Sequence, residues 1–266
     1  SAVLALALSG PAFAEEGTTQ PGRPLEERLE LLEDAVSDHK RAKDADALLI
    51  DIRAIVSLHE QAASNAKVRK MSVKLIGGLT RGRLVCSSVA VAALDGLGRM
   101  GDPEGARYVE SRLKRMPSNA QATTILRAAI GAAKQLCDDR FVNPLLKIVK
   151  DSKNYTLAAQ AVQTLGKFHH CKRKRVKILK TLVETTAKDR PGMKGRSKDP
   201  VPNDQYRHTG ELARNRWQAL SRVLPAALLE LTKNESMKGA SADWWIEAVN
   251  NNKRNVGALF FDEDEE

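Results

Sequence analysis

The chain has 266 residues, enough for one or two domains, with 42% hydrophobic but only 4% aromatic residues and a net charge of +10. No apolar run approaches the roughly 20 residues that a membrane-spanning helix needs. Extended alternation of Val, Ile, Thr and aromatic residues is absent, which argues against a sheet and predicts a core of Ala, Leu and Val between close helices.

Residues 1–14 read as the end of a secretory signal peptide. Ala2–Leu8 is apolar, Ser9-Gly10-Pro11 breaks the run, and Ala12-Phe13-Ala14 is a small-x-small cleavage site. Cleavage there would leave Glu15 first and place the chain outside the cytoplasm, periplasmic or secreted. No Cys stands at the junction, so a lipid anchor is not expected. Residues 15–24, rich in Gly, Thr and Pro, read as a flexible lead-in. Two amphipathic helices are expected next, within 25–62. One carries Leu25, Leu29, Leu32 and Val36; the other, over Asp44–Gln61, carries Leu48, Leu49, Ile52, Ile55, Val56 and His59. Gly77-x4-Gly82 resembles half of a phosphate loop, but Arg83 and Leu84 replace the Lys and Ser/Thr that would hold phosphate and magnesium. A helix end and turn is the better reading.

The stretch Ser87–Val149 contains one helix–turn–helix unit written twice. At an offset of 36, Val89, Ala90, Ala93, Leu94, Leu97 and Met100 fall on Ile125, Leu126, Ala129, Ile130, Ala133 and Leu136. The second helices match as Ala106, Val109 and Leu113 against Val142, Leu145 and Val149. A third copy follows at an offset of 32, with Leu157, Ala158, Ala161, Val162, Leu165 and Phe168, then Val176, Leu179 and Leu182 after an enlarged turn. A fourth is placed a further 55 residues on, at Leu212, Ala213, Trp217, Leu220 and Val223, and a degenerate one upstream at Val68, Val73, Ile76 and Leu79. Periods of 30–50 residues mark stacked helical repeats, in which no unit buries its face alone.

Leu97-Gly98-Arg99-Met100-Gly101-Asp102-Pro103 and Asp138-Asp139-Arg140-Phe141-Val142-Asn143-Pro144-Leu145-Leu146 resemble the turn of the HEAT-repeat family. An aspartate ends the first helix there and a Val/Pro/Leu-Leu pattern opens the second. The resemblance runs over about Ala66–Lys233 and departs in the third copy, where His170 takes the aspartate's place. It implies an all-α, right-handed α-solenoid of four to five HEAT-like helix pairs, with repeats over 63–189 and helical caps at both ends. It also implies a scaffold, since the family shares a shape rather than a chemistry.

Residues 190–210, with Pro191, Gly192, Gly195, Pro200, Pro202 and Gly210, are expected to form a long basic loop. Residues 211–258 then hold the last repeat and a cap built on Trp244-Trp245-Ile246. The Trp pair and the Asn/Lys-rich run after it resemble the closing segment of uncharacterised exported bacterial HEAT-repeat proteins. Residues 259–266 are expected to be an acidic tail.

Lys167–Lys198 holds twelve basic and two acidic residues, an excess equal to that of the whole chain. Such a stretch is a solvated helix face, a docking surface for an acidic protein or envelope polymer, or a nucleic-acid footprint. The export signal and the shortage of aromatics, with only Phe168 and Tyr206 near the stretch, count against nucleic acid. The expected contact residues are Lys172, Arg173, Arg175, Lys177, Arg196 and Lys198. The acidic tail is a second candidate to cover them.

Cys86, Cys137 and Cys171 are an odd number for an exported chain. Cys137 and Cys171 both follow the first helix of their unit and fall on one rim. Packed helices lie about 8–10 Å apart, slightly beyond the roughly 7 Å limit for a disulfide. The enlarged turn at Cys171 would close that gap, so a Cys137–Cys171 bridge is one possibility. Cys86 reads as a small buried hydrophobe. His169-His170-Cys171 lacks a further ligand at a suitable spacing and is surrounded by lysines, so no metal site is expected. No hydrolase, zincin or dinucleotide motif is present, and neither catalysis nor a cofactor is expected.

Overall fold

The computed structural model describes residues 23–81, 86–191 and 203–261, with side chains left undescribed over 203–210. Among these residues there are twelve α-helices, four short 3-10 turns and no strand. The helices are α1 (Leu25–Ala42), α2 (Ala45–Gln61), α3 (Ala66–Leu79), α4 (Ser87–Met100), α5 (Ala106–Leu113), α6 (Ala120–Leu136), α7 (Val142–Asp151), α8 (Tyr155–Gly166), α9 (Lys172–Lys188), α10 (Asn203–Thr232), α11 (Ala242–Asn251) and α12 (Val256–Phe260). No described helix is long and apolar enough to cross a membrane.

Local chemistry sets the helix starts. Asp44, Asn65, Asn119, Asn154 and Ser241 each cap the next helix by accepting from a backbone N–H two or three residues on. Asp102 and Asp138 do the same for the 3-10 turns Pro103–Gly105 and Asp139–Phe141, which lead directly into α5 and α7. In the third unit the 3-10 turn Phe168–His170 has Lys167 before it and no side-chain cap. One extra residue, Cys171, separates that turn from α9. The connection as a whole is not enlarged as expected: five residues separate the paired helices in all three units, and α9 already begins at Lys172.

The helices form two layers. The chain places α2, α4, α6, α8 and α10 side by side in order, each packed on the next. On the other layer α5, α7, α9 and α11 follow one another, and α1 packs on α3 at the near end. Successive helices close the space between layers. The core is aliphatic, as composition predicts: Ala93, Ala129, Ala133, Ala158 and Ala161 are fully buried with Leu94, Leu145 and Leu165. Large rings are few; Phe141, Phe168, Trp245 and Phe260 fill the remaining volume.

Small residues let the first layer close up. A Cβ on Gly98 in α4 would stand 3.1 Å from the Ala132 Cα of α6. One on Gly166 in α8 would stand 2.7 Å from the Ala227 carbonyl oxygen of α10. Backbones meet at these crossings, and neither has room for a side chain.

Three further expectations about the fold fail. Residues 203–210 are not loop but the first two turns of α10. Gly210 sits inside the helix at a tolerable cost of about 1 kcal/mol. The fourth repeat does not run in the expected register, since Leu212 is 56% exposed. The buried stripe is Leu220, Leu224, Leu228 and Leu231, which matches Leu157, Ala161, Leu165 and Phe168 at an offset of 63. The acidic tail starts later than residue 259, because Phe260 and Phe261 are buried: Phe260 stacks on Trp245 and Phe261 lies under Arg175. Residues 1–22, including the signal-like segment, and 262–266 lie outside the described residues.

Gly166→Ala is expected to destabilise the protein by about 1–3 kcal/mol through overpacking. Gly131→Ala, on an open face of α6 with nothing near the new Cβ, should stabilise it by about 0.5–1 kcal/mol. Thermal or urea melts of the two variants check both signs.

Candidate functional site

The rim where the 3-10 turns meet α5, α7 and α9 carries most of the chemistry. α9 opens with Lys172, Arg173, Lys174 and Arg175, has no acid in its first turn and has no side-chain cap. Cations there oppose the helix dipole, which favours negative charge at an N-terminus.

Their surroundings separate them. Lys174 donates to the Asp139 carbonyl at 2.8 Å and pairs with its carboxylate at 3.6 Å. The Arg175 guanidinium lies 4.7 Å from the centre of the Phe261 ring. Lys177 donates to Asn143 Oδ1 at 2.9 Å yet stays exposed. Further along, Arg190 pairs with Asp243 at 3.0 Å, and Arg216 pairs with Asp189 at 3.1 Å while also donating to the Val149 carbonyl. Lys172 and Arg173 are exposed and have no ion-pair partner among the described residues. Arg196 and Lys198 lie outside the described residues. Much of the basic excess is thus engaged within the fold, and Lys172, Arg173 and Lys177 are the expected contacts that face solvent.

The structure adds cations that a scan of one segment does not join to them. Lys147 and Lys150 of α7 border a depression of about 210 Å³ with Asn143, Leu146, Asp151 and Lys177. Lys70, Arg107 and Arg140 border another of about 390 Å³ with Pro103 and Glu104. The basic face therefore spreads across α7 and α9, while along the rim Lys70 and Arg107 pair with Glu104 and Arg140 with Asp138. The helix periodicity of Lys147 and Lys150, three residues apart, was the available signal.

Beside the start of α9, three side chains converge. The Cys171 thiol, 4% exposed, donates to Asp139 Oδ1. His170 Nε2 stands 3.3 Å from Cys171 Sγ and 3.8 Å from the same carboxylate oxygen. Burial, then the bond to Asp139, push the thiol up to about 12. A thiol so held is no nucleophile at neutral pH. Nor does the imidazole sit between thiol and acid, as a relay requires. No partner for the His–Cys pair was expected from nearby sequence. Asp139 supplies one from the preceding unit, 32 residues before Cys171, which is the repeat offset itself.

The other cysteines correct their expectations. All three are free thiols, so the Cys137–Cys171 bridge is not formed. Cys137 takes a left-handed backbone, φ 47°, at the position that Gly101 holds one unit earlier. Its thiol donates back to the Lys134 carbonyl at 3.1 Å, while Cys171 turns to Asp139. Cys86 is exposed, not buried. It stands at the N-cap of α4, 3.0 Å from Ser88 Oγ, and that bond together with the helix-start N–H groups lowers its thiol.

A second polar cluster is internal. His59 is 4% exposed, with Nε2 3.6 Å from Asp102, and Arg69 pairs with the same carboxylate at 3.3 Å. It ties α2 and α3 to the turn before α5. Burial pushes the His59 imidazole below its ordinary value, with Arg69 acting in the same sense and Asp102 and Glu60 opposing.

Comparison with known proteins gives no match to a family model, a curated protein or a solved structure.

Two outcomes follow from these environments. A thiol-alkylating reagent on the folded protein should label Cys86 first and Cys171 last; mass mapping after brief labelling checks the order. The unfolded chain binds a proton at His59 more readily than the folded one. Its contribution to stability is therefore complete above the unfolded value of about 6.5 and lost as pH falls below it. The melting temperature should drop from pH 7 to pH 5, with a smaller drop in His59→Gln.

Proposed function

We propose that the chain is an exported HEAT-like α-solenoid scaffold that binds an acidic protein through the basic face of α7 and α9. Two layers of helices, each packed on its neighbour in sequence, support the solenoid reading. So does the turn that recurs with Asp102 and Asp138 as caps. The observation that carries the binding face is the pair Lys172 and Arg173. They are exposed, opposed to the dipole of α9 and without an ion-pair partner among the described residues. An acidic partner would supply the negative charge that the helix start lacks, and Lys147, Lys150 and Lys177 would widen its footprint. Binding would be by surface complementarity, with steering by charge over about a Debye length. Export rests on the segment ending at Ala14.

Nucleic acid is the second reading, since phosphates would use the same cations. Phe168, one of two aromatics near the basic stretch, is fully buried and offers no base a stacking surface.

One experiment addresses both. The tagged chain is cross-linked in its own host, captured, and compared with Lys172→Glu/Arg173→Glu and Lys147→Glu/Lys150→Glu. A protein joined through Lys172, Lys177 or Lys147 and depleted at least about tenfold in both variants is expected, with binding that weakens as salt rises. The recovered chain should begin at Glu15. Equal recovery with all three forms sinks the basic face. Recovery of nucleic acid with an uncleaved chain moves the assignment to the second reading.

A further inference from the structure

We propose that Asp139, His170 and Cys171 form a binding site for a zinc ion. Their ligand atoms, Oδ1, Nε2 and Sγ, all lie within 4.8 Å of one another. A tetrahedral zinc site has Zn–S of about 2.3 Å and Zn–N and Zn–O of about 2.0–2.2 Å, which sets the donors about 3.3–3.6 Å apart. His170 Nε2 is already 3.3 Å from Cys171 Sγ and 3.8 Å from Asp139 Oδ1. Cys171 Sγ also contacts Asp139 Oδ1, with the thiol proton between them. Replacing that proton by the ion opens the contact to a ligand spacing.

The donor types select the metal. One thiolate, one imidazole and one carboxylate suit zinc and disfavour magnesium and calcium, which take oxygen. On binding, the Cys171 S–H proton leaves to solvent and an S–Zn bond forms. Thiolate and carboxylate then balance the ion's two positive charges, and a water completes the fourth position. The lysines around the site do not prevent this. Lys174 holds Asp139 by its carbonyl and by Oδ2, the oxygen turned away from His170 and Cys171. That leaves Oδ1 aimed at the ion, an outer contact of the kind that orients metal-binding carboxylates. The site joins two successive units, since Asp139 precedes α7 and Cys171 precedes α9. It does not depend on the basic face or on any partner.

Cobalt(II) serves as the probe. The full chain, stripped with a chelator, is titrated with cobalt and followed by absorption. One equivalent is expected, with a thiolate-to-cobalt charge-transfer band and intense tetrahedral d–d bands, both erased by one equivalent of zinc. His170→Gln and Cys171→Ser should each weaken cobalt binding at least about tenfold. Cys137→Ser should leave it unchanged. The His170 side chain is 43% exposed, so its variant is expected to keep the fold, and circular dichroism checks that. Absence of the charge-transfer band at stoichiometric cobalt overturns the proposal. So does a titration that neither His170→Gln nor Cys171→Ser alters.

Discussion

Close approach of backbones within one layer of helices is the constraint on which the rest depends. Gly98 meets the backbone of Ala132, and Gly166 meets that of Ala227. Helices this close leave room only for short side chains at the crossings, where Ala132 and Ala227 stand. α6 also packs on α8 and α7 on α9, so the 3-10 turns that follow α6 and α8 come to lie side by side. The nearness of Asp139 to Cys171, and of Asn143 to Lys177, follows from that spacing rather than from any local motif.

Legibility in the sequence followed the same logic. The offsets of 36 and 32 were readable because Ala and Leu recur at matching helical positions with an Asp turn as punctuation. The fourth copy was misread because a stripe of Leu and Ala fits more than one register, and no Asp turn pins it. Glycine added to the error: Gly210 looks like a loop residue and lies inside α10. Charge was legible as a sum and not as an arrangement. Sequence counts Lys174, Arg190 and Arg216 alike with Lys172, yet the first three are held by Asp139, Asp243 and Asp189. The Asp139–His170–Cys171 cluster is invisible at short sequence spacing, because its acid stands 32 residues before its thiol. Reading at the repeat offset, Asp139 to Cys171, would have joined them.

Asp139 occupies the junction between the two proposals. It anchors Lys174 by one oxygen and the thiol by the other, so the start of α9 is braced by a residue of the preceding unit. The brace stands where the third turn lacks the side-chain cap that Asp102 and Asp138 provide in the earlier units. A cross-unit contact there replaces a local one.

The order in which the helices pack bears on mechanics. The main neighbours of each helix are those next to it, or next but one, along the chain. Among the described residues no strand from one end is sewn into the other, so no row of bonds must shear together when the ends are pulled apart. Tension would peel helices away in sequence, each step releasing a short length of chain, and slackening would let them settle back in the reverse order because their partners are never far along the chain. Yielding would come by instalments, in the order in which the helices pack along the chain.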